Sequence, residues 1–262
     1  MSPLLRASAA WHLAALLLTL VWPPWWPWTL GAVIANHLLL TALGLWPRSQ
    51  ALGSNWTRLP AAAAARGEVA ITIDDGPDPE VTPTLLEILA AHRARATFFC
   101  IGERIERFPQ LARDCIAQGH AIENHSQRHR HVFSLLGPAA LRRELQSAQT
   151  TIERVCGARP RFFRAPAGLR SPLLDPVLQR LQLQLVSWTR RGFDTVNADV
   201  DAVLARLTDQ LAAGDILLLH DGHAARTRTG SPAVLEVLPR LLEAIEQRGL
   251  RVVTLHEAAG VY

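Results

Sequence analysis

A chain of 262 residues with 49% hydrophobic content has material for one large domain, or for one domain and an appendage. All 27 basic residues are Arg, set against 23 acidic ones for a formal charge of +4. With no Lys anywhere, Schiff-base catalysis and a P-loop lysine are both excluded. Beyond Glu68 the two signs of charge are interleaved, so no basic stripe points to DNA or RNA.

The first 66 residues hold four Arg (Arg6, Arg48, Arg58, Arg66) and no Asp or Glu. Ala7 to Trp22 is an apolar run broken mainly by His12 and Thr19, and Trp28 to Trp46 is a second, interrupted by Asn36 and His37. Between them Pro23-Pro24-Trp25-Trp26-Pro27 forms a stiff, indole-rich turn, and Trp concentrates where a membrane meets water. A bilayer core takes about 20 helical residues. The second run reaches that length and the first falls short. Residues 1–46 therefore predict a hydrophobic helical hairpin associated with membrane lipids, expected at a bacterial inner membrane. Trp22-Pro23 offers no small-residue cleavage site, which argues against a removed signal peptide. With charge only at Arg6, Arg48 and Arg58, both ends would face the cytoplasm if both runs span.

Residues 47–66, with Pro47, Gly53, Pro60 and the alanine run 61–65, read as a linker. The acceptor pattern Asn55-Trp56-Thr57 is short enough to arise by chance. From 67 to 262 a single domain is expected. Strand-like runs fall at 69–73, 96–101, 120–123, 161–164, 183–188, 215–219 and 251–255. Helix-like stretches at 82–93, 108–118, 138–155, 172–181, 199–213 and 232–248 lie between most of them, with Pro138, Pro172 and Pro232 near helix starts. Such alternation implies an α/β fold with a parallel sheet or barrel, and seven strands are too few for a full eight-stranded one. Cys100, Cys115 and Cys156, an odd number without CxxC spacing, read as packing residues.

In these folds reactive groups gather at the C-terminal ends of strands. Five polar clusters stand there. Thr72-Ile73-Asp74-Asp75-Gly76-Pro77-Asp78 follows the first strand; its adjacent carboxylates need a cation or an Arg if buried, although Asp, Gly and Pro are also ordinary turn residues. His125-Ser126-Gln127-Arg128-His129 places two imidazoles at i, i+4, on one face of a helix, and with a carboxylate they would make an open metal site. Neighbouring His120 and His131 dilute that signal. Arg164-Ala165-Pro166-Ala167-Gly168 ends the fourth strand, where Arg164 needs a carboxylate and either Asp74 or Asp75 would serve. Trp188 to Asp194 follows the fifth, and Leu217-Leu218-Leu219-His220-Asp221 ends an apolar strand in a polar residue. His92, His223 and His256 read as ordinary imidazoles.

Together and in this order the five clusters resemble the NodB-type polysaccharide deacetylases, carbohydrate esterase family 4, over about residues 68–256. The resemblance implies an incomplete seven-stranded (β/α) barrel preceded by the hairpin. It implies a divalent metal on Asp75, His125 and His129, usually Zn2+, with Co2+, Ni2+ or Mn2+ also used by related enzymes. Asp74 would be the general base, Arg164 would hold it ionised and oriented, and His220 would be the general acid, with Asp194 close enough to favour its imidazolium. The oxyanion would rest on the metal and a backbone N–H near Ala167. Three positions depart from the family pattern. Ala167 stands where an aromatic residue is common, and Arg191 and Thr195 replace an Asp and a Trp in the cluster that begins at Trp188. An additional Arg beside the site suggests an anionic neighbour on the substrate.

The implied activity is hydrolysis of an N-acetyl or N-formyl amino sugar in a polysaccharide, oligosaccharide or lipid-linked glycan. An O-deacetylase would need the same site, and freed alcohol instead of freed amine would reveal it. An inactive membrane-anchored carbohydrate-binding protein has no need of a base, an acid and three ligands together.

Overall fold

The computed structural model describes residues 1–260; the last two positions of the domain expected over 67–262 lie outside them. The chain opens with two antiparallel helices, α1 (Pro3–Val21) and α2 (Trp26–Leu45), joined by one tight 3-10 turn at Pro23–Trp25. Each is long and apolar enough to cross a membrane. α1 runs longer than the apolar pattern because Ser2 caps it, accepting from the Leu5 N–H at 3.3 Å, and Pro3 is tolerated in the first turn.

Among the described residues the domain that follows contains nine strands: β1 (Asn55–Trp56), β2 (Glu68–Asp74), β3 (Thr97–Cys100), β4 (Ala121–Asn124), β5 (Phe162–Phe163), β6 (Gln184–Val186), β7 (Arg190–Arg191), β8 (Ile216–His220) and β9 (Arg251–Val252). All pair in parallel, in the order β1-β6-β5-β4-β3-β2-β8-β7, with β9 beside the start of β2. One stretch of chain, 184–191, meets β5 at its beginning and β8 at its end. The sheet thus curls into an incomplete barrel, as seven strand-like runs imply. Two of the nine strands are additions of two residues each, β1 and β7, too short to leave a periodic signal.

Helices α3 (Ala61–Ala65), α4 (Thr82–Ala91), α5 (Gly102–Arg107), α6 (Pro109–Ala117), α7 (Pro138–Cys156), α8 (Leu174–Leu181), α9 (Val200–Thr208), α10 (Ala233–Gln247) and α11 (Leu255–Ala258) fill the connections. Residues 47–66, read as a linker, are packed on the domain. β1 joins the sheet beside β6, the alanine run makes α3, and Leu52, Leu59 and Ala63 are buried. The physical reason is that Ala has the highest helix propensity, and that the Asn55 amide is tied down, donating to the carbonyls of Pro47 at 2.9 Å and Ser49 at 3.0 Å.

Strand alternation decides what faces where. On β2, Val69, Ile71 and Ile73 pack with α4, α9 and α10 side chains in the main core, with Phe98, Leu217 and Leu219 from the neighbouring strands. The intervening residues face the barrel axis. Ala70 packs there with Phe99, Phe162 and Ile216 as an apolar floor. Thr72 and then Asp74 follow on the same face, so Asp74 stands at the open end above that floor. The three cysteines are free, with Cys100 and Cys115 in the main core and Cys156 packed against it.

Candidate active site

The register of the sheet aligns the functional strand ends. Asp74 of β2 lies directly beside His220 of β8 on one side and Phe99 of β3 on the other, while Asn124 of β4 lies beside both Cys100 and Phe163. Asp74, His125, Arg164 and His220 therefore emerge at one rim, as C-terminal strand ends must in a parallel barrel.

Arg164 is 1% exposed, and every bond it makes is internal. Its Nη1 donates to Asp74 Oδ1 at 2.6 Å and to Thr72 Oγ1 at 2.8 Å, its Nη2 to the Ser187 carbonyl at 2.7 Å, and its Nε to that of Val186 at 3.3 Å. The guanidinium also lies 4.2 Å from the centre of the Phe99 ring. Of the two carboxylates open to Arg164, Asp74 is the partner. A buried guanidinium with this many acceptors fixes one Asp74 oxygen and turns the other toward the cleft.

Asp75 is placed by a strained turn. Its φ of 78° is unusual for a residue with a side chain, and its N–H is tied to the Phe99 carbonyl at 3.2 Å. Glycine is required at the next position, because a Cβ on Gly76 would run into the Asp221 carboxylate. So placed, Asp75 Oδ1 lies 3.3 Å from His125 Nε2 and 3.2 Å from His129 Nε2. Burial by itself pushes this carboxyl up, but the hydrogen bond and charge of His125, with His129 and His220 behind, hold it well below the usual carboxylate range.

The two histidines do not share a helix, contrary to what their spacing suggests. They stand in a loop after β4 in which Ser126 (φ 66°) and His129 (φ 46°) are both left-handed. Side chains replace helical hydrogen bonds. Asn124 Oδ1 accepts from the Ser126 N–H at 2.9 Å, and Ser126 Oγ from the His129 N–H at 3.0 Å. The rings end up 4.8 Å apart. His125 Nδ1 faces the Arg164 carbonyl at 2.8 Å, so Nδ1 carries a proton and Nε2 is the ring nitrogen turned toward Asp75, the one that would bind a metal on giving up its own proton.

One ligand atom from each of Asp75, His125 and His129 lies within 4.8 Å of the others. The donor set fits a divalent metal of the zinc type: two imidazoles presenting Nε2, one carboxylate, a carbonyl orienting one ring, and open space beyond.

His220 faces this trio from β8. Its Nδ1 is 2.9 Å from Asp194 Oδ1, and Asp194, fully buried, also accepts from the His220 N–H at 2.8 Å. Burial pulls the imidazole down, but the Asp194 charge and hydrogen bond outweigh it and raise its pKa above the ordinary histidine value. The cleft over these groups holds about 250 Å³ and is also lined by Ala167, Trp188 and Arg191. Ala167 has φ 54°, in a single turn at Pro166–Gly168.

Every residue of the five clusters given a role thus reaches one cleft or supports it from beneath. Two more imidazoles join them without a spacing signal: His131, from the same loop as His129, and His223, whose Nδ1 is 3.9 Å from Asp75 Oδ2. Asp221 ends the fifth cluster but had no role assigned from the sequence. It is buried behind the Asp75 turn, where it accepts from Thr82 Oγ1 at 2.6 Å. Only the register of β8 against β2 brings it there.

The polysaccharide deacetylase family model matches residues 61–186. A chitooligosaccharide deacetylase of Azorhizobium caulinodans is 36% identical over 191 residues, which cover 70% of this chain and 90% of that protein. This chain belongs to the polysaccharide deacetylase family. A peptidoglycan-N-acetylglucosamine deacetylase of Bacillus cereus is 32% identical, covering 72% of this chain and 86% of its own. Among solved structures, a family 4 carbohydrate esterase from Streptomyces lividans, in complex with acetate, superposes with a TM-score of 0.64 at 31% identity, covering 71% of this chain and 91% of that one. Membership makes the chain a hydrolase of carbon–nitrogen bonds of the polysaccharide-deacetylase type.

Proposed function

We propose that this protein removes an N-acetyl or N-formyl group from an amino sugar of a glycan, using a divalent metal held by Asp75, His125 and His129, and that its hairpin anchors it to a membrane. The observation that carries the reading is Asp74: locked by Arg164 on one oxygen, in register with His220, and next to the Asp-His-His trio. The relatives' names, a chitooligosaccharide and a peptidoglycan deacetylase, support a glycan amide as the bond attacked.

Bound by the trio, a Zn2+-type ion would polarise the amide carbonyl and make water acidic enough to attack at neutral pH. The chain's own groups do the rest. Asp74 takes one proton from the attacking water as its oxygen bonds to the carbonyl carbon. The backbone N–H near Ala167 donates to the oxygen that becomes negative. His220, kept protonated by Asp194, gives its proton to the nitrogen as the C–N bond breaks, because an amine anion cannot leave unassisted. Free amine and carboxylic acid are the products, and the proton on Asp74 restores the balance.

The anchor reading rests on side chains such as Leu13, Leu20 and Trp28, which are 59%, 67% and 76% exposed on the outer faces of the hairpin. The deacylase reading is tested by incubating full-length protein with defined N-acylated glycans and measuring amine, alcohol and acid released. Stoichiometric amine and acid is the expected result. Freed alcohol without amine would make the protein an O-deacetylase, and glycan binding with no product would make it a binding protein.

A further inference from the structure

The open end of the hairpin is fastened to the wall of the active-site cleft. At its N-terminus the Met1 ammonium lies 3.7 Å from Asp175 and 3.3 Å from Gln179 Oε1, both on α8, and Leu5 packs on Leu40 and on buried Leu52. Where α2 leaves the hairpin, the Arg170 N–H donates to the Gly44 carbonyl at 3.2 Å, and a Cβ on Gly44 would collide with the Arg170 backbone. Next, the Pro47 carbonyl accepts from Ser187 Oγ at 2.6 Å. A Cβ on Gly168 would meet the Trp188 ring at 2.6 Å and Pro47 at 2.8 Å. Gly168 and Trp188 both line the cleft. Leu45 and Trp46, immediately before Pro47, are 59% and 57% exposed, so the outward-facing apolar surface begins beside the cleft.

The same wall carries a cation without a counter-charge. Arg191 lies with its guanidinium 5.4 Å from the Trp188 ring and 4.9 Å from the Phe193 ring. Among the described residues no carboxylate pairs with it, and its Nε is buried without a hydrogen-bond partner. An orphaned guanidinium N–H is costly unless a ligand satisfies it, and a flat fork held against aromatic rings matches phosphate oxygens. Arg48, donating to the Thr189 carbonyl at 3.3 Å, adds a second positive charge to this wall.

Resting on the deacylase and anchor readings above, we propose that the substrate is an amino sugar joined through phosphate or diphosphate to a lipid, with the sugar over Asp74, the phosphate on Arg191 and the lipid chain running along the hairpin. A soluble glycan needs neither the apolar surface at the cleft nor the unpaired Arg191. A nucleotide-linked sugar would use the second but not the first.

The test uses full-length protein in phospholipid vesicles and a panel of N-acetyl and N-formyl amino sugars. Each sugar is supplied as a lipid diphosphate, a nucleoside diphosphate and a neutral alkyl glycoside, and amine release is followed. The expected result is a kcat/KM at least about tenfold higher on the lipid diphosphate than on either other form, a ratio that falls about tenfold in Arg191→Gln and less in Arg191→Lys. Equal or higher kcat/KM on the nucleotide or neutral form would overturn the proposal and leave the deacylase reading standing. Undiminished preference in Arg191→Gln would overturn the role of Arg191. No amine from any form would overturn the deacylase reading and this proposal with it.

Discussion

The hairpin and the barrel rim solve opposite problems with the same kinds of side chain. In the hairpin, polar groups are turned inward and pair across the helices: His12 Nε2 with His37 Nε2 at 3.1 Å, Asn36 Nδ2 to Ser8 Oγ at 2.8 Å, and Thr19 with Thr29 at 2.7 Å. Most of the large apolar side chains look outward. At the rim, the apolar residues are buried and the polar groups converge on an open cleft, with Asp75, His125 and His129 close enough together to hold a metal ion. Inward-facing polar pairs are what the proposed membrane anchor requires, because a bilayer core offers no hydrogen-bond partners. Convergent groups with spare coordination serve chemistry. The same residue, histidine, is glue in one region and a candidate ligand or acid in the other, and only its surroundings separate the two.

His220→Ala should reduce amine release by about 10²–10⁴-fold, the contribution of a positioned general acid, with folding intact by circular dichroism. Arg164→Ala leaves the Asp74 carboxylate buried without its partner; a cost of about 3–5 kcal/mol is expected, read as a lower denaturant midpoint, together with loss of activity. Asp194→Asn removes the charge that holds His220 protonated. Since the pKa of His220 is raised and its acid form is the one required, activity is present below that pKa and lost as pH rises through it. The alkaline limb of the kcat profile should move to lower pH in the variant.

Asp221 offers a finer test. Burial above all, with the charges of Asp75 and Asp78, pushes its carboxyl from 3.8 up to about 7. The folded protein then holds a proton that the unfolded chain releases between those values, so stability contributed by this group is lost as pH rises from about 4 to 7. Asp221→Asn should flatten Tm over that window. The smallest effect belongs to the hairpin. Asn36→Leu should cost only about 0.6 kcal/mol in detergent or lipid, because polar pairs in a bilayer contribute little net stability.

Much of the barrel was legible because alternating strands and helices leave a periodic trace, and because each reactive cluster ends a strand. Asp74 and His220 were readable as strand-end polar residues, yet their direct adjacency needed the β2–β8 pairing, which spans most of the chain. The i, i+4 spacing of His125 and His129 suggested one shared helical face. A left-handed loop, tied by Asn124 and Ser126, brings the rings together where a helix was expected. Residues 47–66 read as a linker from Pro, Gly and Ala, and nothing in that composition announces that Asn55 and the alanine helix dock them on the barrel, which in turn fixes the hairpin beside the cleft. His223 and Asp221 carried no local signal, since both matter only through contacts made across the rim.

The most direct test of the account is to strip full-length protein with a chelator, titrate Zn2+ back, and follow bound metal and amine release together in the wild type and in His125→Ala. One ion per chain in the wild type, activity returning in proportion to it, and neither in the variant is the predicted result. Full amide hydrolysis by the metal-free protein would contradict it.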